Sequence, residues 1–403
     1  MIRKTIKCDL LVVGAGPAGS VAAGVAASHG LDVLLIDKKK RLGEKPHCGE
    51  FIPQKLLAEF NLSPKIIQQQ VDFMETIIFQ EDLPRKSSFH PRLNGISNIG
   101  WGAWPGEKRE EPFEKAKDQL ESLLTPSPGY IIDRQVLDMS LAKDAASNGA
   151  LVLCDARLLK QYDQSFVVRH QHQDMRIEPR IVIAADGPNS AIAGSMSSIT
   201  PEFLVGVQYQ VPLTQELKRT TVFFHKEITH GYGWIFPKGM SANLGLGMLA
   251  HKEGRPKQTL DFFLDFFIGC GAVKPGIFSR SIGLIPLSGI RNEIVRGNIM
   301  LVGDAAGLTH PVTGAGVPQA MISGREAALV AVEAIKRGKA ELLESYEKLI
   351  RSLYSGPLNH AVAKRKLMTG MWKSESMKSI LSETWIAFGG YRKRVRERTN
   401  DGK

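Results

Sequence analysis

The chain has 403 residues, of which 43% are hydrophobic and 23% charged, and its formal net charge is +11. That length is too great for one simple core and calls for two or three domains, while the ordinary composition excludes a disordered or low-complexity chain. The four cysteines, Cys8, Cys48, Cys154 and Cys270, lie far apart with no CxxC pair, which excludes a zinc or iron–sulfur site built on that spacing, and the apolar runs are too short to span a bilayer.

The predicted elements begin with a buried parallel strand over "DLLVV", Asp9 to Val13. A glycine turn follows, with Gly14, Gly16, Ala18 and Gly19 in "GAGPAGS", and then an alanine-rich helix closed by Gly30. A second strand, "DVLLID", ends on Asp37, with Lys38 beside it. Strand, glycine turn, helix, strand and acid together form the βαβ dinucleotide fingerprint. Gly14 permits the tight turn, Gly16 lets backbone approach a pyrophosphate, and Gly19 lets helix and strand pack closely. The helix N-terminus offers free N–H groups and positive dipole to the phosphates. Asp37 can accept hydrogen bonds from ribose hydroxyls, and an acid there disfavours a ribose 2′-phosphate at this site.

Positive charge gathers in "KKKR" (Lys38 to Arg41) and in "YRKRVRER" (Tyr391 to Arg398). Both read as solvated surface or as attraction to anionic lipid or a phosphorylated substrate. Aromatic residues are sparse and no nucleic-acid-reading motif is present, so nucleic acid is not an expected partner. Few cysteines and no export signal fit a reducing cytoplasm, with peripheral contact at the inner face of a membrane as an option.

Two later stretches select the dinucleotide. "RIVIAADGPNSAIAG" is a strand ending in Asp186-Gly187, and "GNIMLVGDAAGLTHPVTGAGV" is a strand ending in Gly303-Asp304 before a glycine-rich turn and a long helix. Taken singly, each aspartate also reads as a turn or capping residue. As a pair they resemble the DG and GD motifs of the flavoprotein hydroxylase superfamily, built on the glutathione-reductase-type FAD fold. That resemblance implies FAD. It implies that Asp304 hydrogen-bonds the ribityl chain and that the helix N-terminus at Gly314, Ala315, Gly316 and Val317 points at the flavin ring and pyrophosphate. It also implies that Arg134, at the start of the helix in "YIIDRQVLDMSLAKDAASNGA", reaches the FAD phosphates; the plainer reading is a surface arginine. His310 lies near the ring by motif position, or is a turn residue.

Two further stretches, "EKPHCGEFIP" and "GYGWIFPKGMSANLGLGM", resemble the geranylgeranyl reductase family, whose members carry a CGE or CGG element after the βαβ unit and a YxWxFPK element in the substrate domain. Here these read Cys48-Gly49-Glu50 and Tyr232-Gly233-Trp234-Ile235-Phe236-Pro237-Lys238. The resemblance implies an enzyme that saturates isolated double bonds of a prenyl or lipid-like chain, with reduced FAD supplying hydride. Cys48 would then lie near the flavin, where a thiol gates the ring or helps deliver a proton, and Glu50 would act through a water. Tyr232, Trp234 and Phe236 alternate as on one strand face and would line a tunnel for the chain; the alternative is a packed core. Pro237, Lys238 and Gly239 read as the turn leaving that strand, with Lys238 either meeting a polar or phosphate head or lying on turn surface. Phe51 departs from the family's usual glycine. The electron donor, NAD(P)H or ferredoxin, is open, and no metal is expected. A flavin-dependent monooxygenase and a dehydrogenase passing electrons to a quinone are the competing readings on the same fold.

The expected fold class is α/β. A Rossmann-like FAD-binding domain takes residues 1–75, 130–195 and 280–330, and an inserted antiparallel-sheet substrate domain takes 76–129 and 196–280. A helical C-terminal region covers 331–403. Strand signals in the substrate domain are "FLVGVQYQV", "TTVFFHK" and "ANLGLGML", and "KQTLDFFLDFFIG" reads as an amphipathic helix. Residues 80–130 read as an irregular insertion, a lid or partner surface, because proline and glycine are frequent there.

Overall fold

The computed structural model describes residues 4–44, 48–79, 120–162, 164–196, 202–249 and 255–395. The chain divides into two units, one of residues 1–46, 133–203 and 285–362, the other of 47–132, 204–284 and 363–403. These bounds differ from the expected ones. Residues 47–75 fall in the second unit; the C-terminal region is helical, as expected, and the boundary between the units at residue 362 lies within its helix Glu344–Met371.

The first unit is organised on a sheet whose central strand is Lys4–Val13. It pairs in parallel with Val33–Ile36 on one side and Gln173–Ala184 on the other. Leu151–Leu153 and Ile299–Leu301 extend the parallel set outward. Leu10, Leu11, Val12, Leu34, Leu35 and Ile36 are each no more than 1% exposed, which is why these strands read as unbroken apolar runs rather than alternating ones. Helices cover the sheet. Pro17–Ser28 lies against Val317–Arg337, and a Cβ on Gly324 would fall 2.1 Å from the Ala18 carbonyl oxygen, so the two backbones touch.

The second unit is built on an eight-stranded sheet in the order Ser279–Pro286, Phe203–Pro212, Ser241–Met248, Tyr232–Lys238, Thr220–Phe224, Ile67–Phe79, Leu120–Ile132 and Phe51–Pro53. Phe203–Pro212 with Ser241–Met248, Ser241–Met248 with Tyr232–Lys238, Tyr232–Lys238 with Thr220–Phe224, Ile67–Phe79 with Leu120–Ile132 and Leu120–Ile132 with Phe51–Pro53 pair antiparallel, whereas Thr220–Phe224 pairs in parallel with Ile67–Phe79, so the expected antiparallel sheet is mixed at one seam. The helix Pro256–Gly269 buries Leu260, Phe263, Leu264, Phe266 and Phe267 against it. Leu120–Ile132 corrects the irregular reading of the insertion at its C-terminal end. Despite Pro126 and Pro128 these residues form a long strand, with a register shift near Pro126 that lets the ladder pass the missing N–H groups. Residues 80–119 lie outside the described residues.

Candidate active site

Within the first unit the glycine turn is set by contacts that no side chain would allow. Gly14 has φ +104°, and a Cβ there would fall 2.3 Å from the Ala185 carbonyl oxygen; one on Gly19 would fall 1.8 Å from the Gly14 carbonyl oxygen. A Cβ on Gly16 would meet nothing within 4 Å, which leaves its backbone open to a ligand. Gly16 is also the N-cap of the helix and Pro17 its first residue, so the free N–H groups of the first turn are unencumbered by a capping side chain. Asp37 holds this turn together. Its carboxylate accepts from Ala15 N (2.8 Å) and Lys39 N (2.8 Å). Lys38 is exposed, and Ala18 is buried where the two helices meet.

Asp304 sits in a single 3₁₀ turn, Gly303–Ala306, directly after the strand Ile299–Leu301. Its Oδ1 accepts from the Thr309 hydroxyl at 2.5 Å. The loop that follows closes on His310: Gly314 N donates to its carbonyl (2.8 Å), Thr313 N donates to its Nδ1 (3.2 Å), and its own N–H donates to the Ala315 carbonyl (2.9 Å). The helix begins at Val317 with Gly316 as N-cap. Gly314, Ala315 and Gly316 thus form the approach to the helix rather than its first turn.

Burial raises the carboxyl pKa of Asp304, with the Thr309 bond and the Arg134 charge opposing it. Asp186 is raised for the same first reason, opposed by bonds from Ser190 and Ala191. Both nevertheless keep accessible surface. Among the described residues, Asp186 Oδ1 and Gln319 Oε1 are buried acceptors with no hydrogen-bond partner. An open glycine backbone at a helix N-terminus, two half-buried aspartates and buried acceptors without partners among the described residues fit a polyhydroxylated, phosphorylated cofactor. Arg134 follows the N-cap Asp133, and its guanidinium forms a fork on Asp138, with Nε at 3.1 Å and Nη2 at 3.2 Å. It is buried, which corrects the surface reading.

The second unit gathers the other set of residues. Tyr232, Trp234 and Phe236 share one face of their strand, with ring centroids 5.9 Å and 6.4 Å apart along the row. Trp234 lies over Gly245 of the neighbouring strand, where a Cβ would fall 2.5 Å from the indole, and its Nε1 donates to Gln208 Oε1 at 2.8 Å. Gly49 lies under Phe236, where a Cβ would fall 2.7 Å from the ring.

Glu50 has φ +73° and is 6% exposed. Its Oε2 accepts from Lys238 Nζ (2.7 Å) and Asn243 Nδ2 (2.5 Å), its N–H donates to Cys48 Sγ (3.2 Å), and its carbonyl accepts from Ile132 N (2.8 Å). Lys238 therefore points inward and is neither turn surface nor free to meet a headgroup in this arrangement. The turn itself is also corrected: Pro237 and Lys238 pair within the ladder, and Gly239 (φ +63°) with Met240 makes the connection.

Asn243, Gln208 and Trp385 belong to this constellation and went unread in the sequence. Asn243 and Gln208 carry no motif, and Trp385 arrives from the C-terminal segment, with its ring 5.1 Å from Tyr232. The alternation of polar and apolar residues in "VGVQYQV" was the available signal for Gln208.

A parallel nucleotide-binding unit and an aromatic-lined sheet unit define the class of FAD-dependent oxidoreductases. Comparisons agree. Residues 7–230 match the FAD binding domain family and residues 203–272 the geranylgeranyl reductase catalytic domain. A digeranylgeranylglycerophospholipid reductase of Methanosphaera stadtmanae is 33% identical over 83% of this chain and 80% of its own length. One from Methanothermobacter thermautotrophicus is 31% identical over 87% of this chain and 84% of its own. Among solved structures, a geranylgeranyl bacteriochlorophyll reductase-like protein from Thermoplasma acidophilum aligns with TM-score 0.72 at 24% identity, covering 94% of this chain and 97% of that one. A flavin-dependent halogenase aligns with TM-score 0.64 at 16% identity, covering 93% and 69%; these likenesses speak for the fold alone. The chain belongs to the geranylgeranyl reductase family of FAD-dependent oxidoreductases.

Proposed function

We propose that this protein adds hydrogen across isolated C=C bonds of a prenyl chain on a lipid, as the names of its relatives imply for them. The observation that supports this best is the row Tyr232–Trp234–Phe236, seated on one sheet face against Gly49 and the Cys48–Glu50 turn. An unactivated alkene has no charge to grip, so apolar ring surface is the means of positioning it.

FAD supplies the hydride when reduced. Gly14–Gly19 and the N-terminus of Pro17–Ser28 are suited to its pyrophosphate, and Asp304, Arg134 and the loop to Val317 to the remainder. In this reading Asp37 acts first on the protein, fixing Ala15 N and Lys39 N. The second carbon of the alkene needs a proton, and Cys48 is our candidate to carry it. Its thiol accepts the Glu50 N–H, so sulfur is oriented by the same residue that Lys238 and Asn243 clamp. Glu50 and Lys238 are then positioning residues, and the aromatic row excludes water.

The reductant for the flavin would be NAD(P)H or a reduced ferredoxin. Peripheral membrane contact is part of the proposal. The edge strand Ser279–Pro286 exposes Ile282 (61%) and Leu284 (39%) beside Arg280, and no helix among the described residues is long and apolar enough to cross a bilayer.

The test is to reduce the flavin anaerobically, add a digeranylgeranyl glycerophospholipid and read product mass. Stepwise gains of two hydrogens support the reading. Rapid oxygen uptake with an oxygenated product, and no hydrogen gain, would favour the monooxygenase.

A further inference from the structure

The aromatic row does not end at Tyr232. The Trp385 ring lies 5.1 Å from Tyr232 and 4.9 Å from Phe224, so rings continue from Phe236 through Trp234, Tyr232 and Trp385 to Phe224. The character of the row changes along it. Phe236 and Tyr232 keep accessible surface. Tyr232 is half-buried, and burial pushes its phenol pKa up. Beyond it the row is solid: Trp385 is 1% exposed, and Phe224 and Thr76 are 0% exposed.

Trp385 is also held rigidly. Its Nε1 donates to Thr76 Oγ1 at 3.1 Å, and its backbone N–H donates to the Leu381 carbonyl at the end of the helix Met377–Thr384. The segment around it is pinned on both sides by one buried lysine. Lys364 Nζ donates to the carbonyls of Glu383 and Gly390, each at 2.8 Å, and the residue is 1% exposed. An ammonium group placed so deeply is justified only by strong partners, and the two carbonyls bracket the tryptophan.

Resting on the prenyl-reductase reading, we infer that Trp385 is the end stop of the prenyl site and sets the length of chain that the enzyme accepts. A flexible chain laid along Phe236, Trp234 and Tyr232 meets a fixed indole where accessible surface runs out. A side chain at a closed end discriminates by added length, because further isoprene units have nowhere to go. Lys364 is the positioning residue that keeps the stop in place.

The experiment compares the FAD-loaded wild type with Trp385→Leu and Trp385→Phe on two substrates, geranylgeranyl and geranylfarnesyl diphosphate, with four and five isoprene units. Mass spectrometry reads hydrogen gain, and calorimetry reads binding of the corresponding prenyl alcohols. The wild type should favour the four-unit chain by about tenfold or more, a ratio expected of a packed apolar pocket. Trp385→Leu should bring the two within about threefold, and Trp385→Phe should fall between. Flavin content and melting temperature identify variants that are folded. If a folded Trp385→Leu protein keeps the wild-type ratio in both readouts, or if the wild type does not discriminate, the stop is overturned. A wild type that binds the four-unit chain ten times better yet reduces neither would instead sink the reductase reading, and loss of that binding preference in Trp385→Leu would still uphold the stop.

Discussion

In the nucleotide unit the decisive atoms are backbone atoms close together in sequence: the carbonyls and N–H groups of residues 14–19, and the loop from Asp304 to Val317. In the second unit they are side chains drawn from residues 48–50, 76, 208, 232–243 and 385, far apart along the chain. The first arrangement fails when a side chain intrudes, and the second when one is removed. That difference can be tested by substitution in each unit.

The largest effect is expected at the buried pair. Lys238 and Glu50 have side chains 9% and 8% exposed, and Lys238→Met takes this cation away from a buried carboxylate whose Oε2 also accepts from Asn243 Nδ2. Stranding one member of a buried ion pair costs about 3–5 kcal/mol. The double variant Lys238→Met/Glu50→Gln, which removes both charges, should recover more than half of that loss in urea unfolding. No recovery would mean that Lys238 contributes through packing of its stem rather than through its charge.

Next comes intrusion in the first unit. Gly19→Ala places a methyl 1.8 Å from the Gly14 carbonyl oxygen, a clash with backbone that cannot rotate away. The turn must open, at a cost of about 1–3 kcal/mol, and the purified protein should lose its yellow colour. Gly16→Ala, which meets nothing within 4 Å, should leave stability within about 0.5 kcal/mol of wild type while still weakening FAD retention. A Gly16→Ala protein that retains FAD with wild-type affinity would show that the open space there is not where the cofactor approaches. A smaller loss is expected for Trp234→Phe, which keeps the ring surface but leaves Gln208 Oε1 without its donor, about 1 kcal/mol.

The same contrast explains what could be read in the sequence. The glycine turn, Asp37 and the Gly303-Asp304 loop are legible because backbone geometry demands particular residues at fixed local spacing. The Tyr232–Phe236 alternation is legible because a strand has a period of two. The destination of Lys238 is not, since Glu50 lies 188 residues away and only the folded sheet brings them together. Trp385 is less legible still: one tryptophan in a helical tail carries no sign of the ring it will meet. Leu120–Ile132 was misread for another reason. Pro126 and Pro128 argue against a strand locally, but the long ladder to Ile67–Phe79 outweighs two missing donors.

His310 gives the most delicate test, because one of its bonds in the backbone-built loop rests on a ring lone pair that a proton would take. Thr313 N donates to Nδ1, which requires the neutral ring with its proton on Nε2. Burial, aided by the nearby His360, lowers the His310 pKa from 6.5 to about 4. The folded protein thus resists a proton that the unfolded chain accepts. Between pH 6.5 and about 4 the unfolded state binds more protons, so stability contributed here is full above 6.5 and is lost as pH falls. His310→Gln, which retains an acceptor but does not titrate, should show a shallower fall in melting temperature across that window, with the two curves parallel at higher pH. FAD retention should follow the same course, since protonating Nδ1 breaks the bond that closes the loop before Val317. Identical slopes for wild type and variant would place the acid sensitivity elsewhere and leave His310 as a turn residue alone.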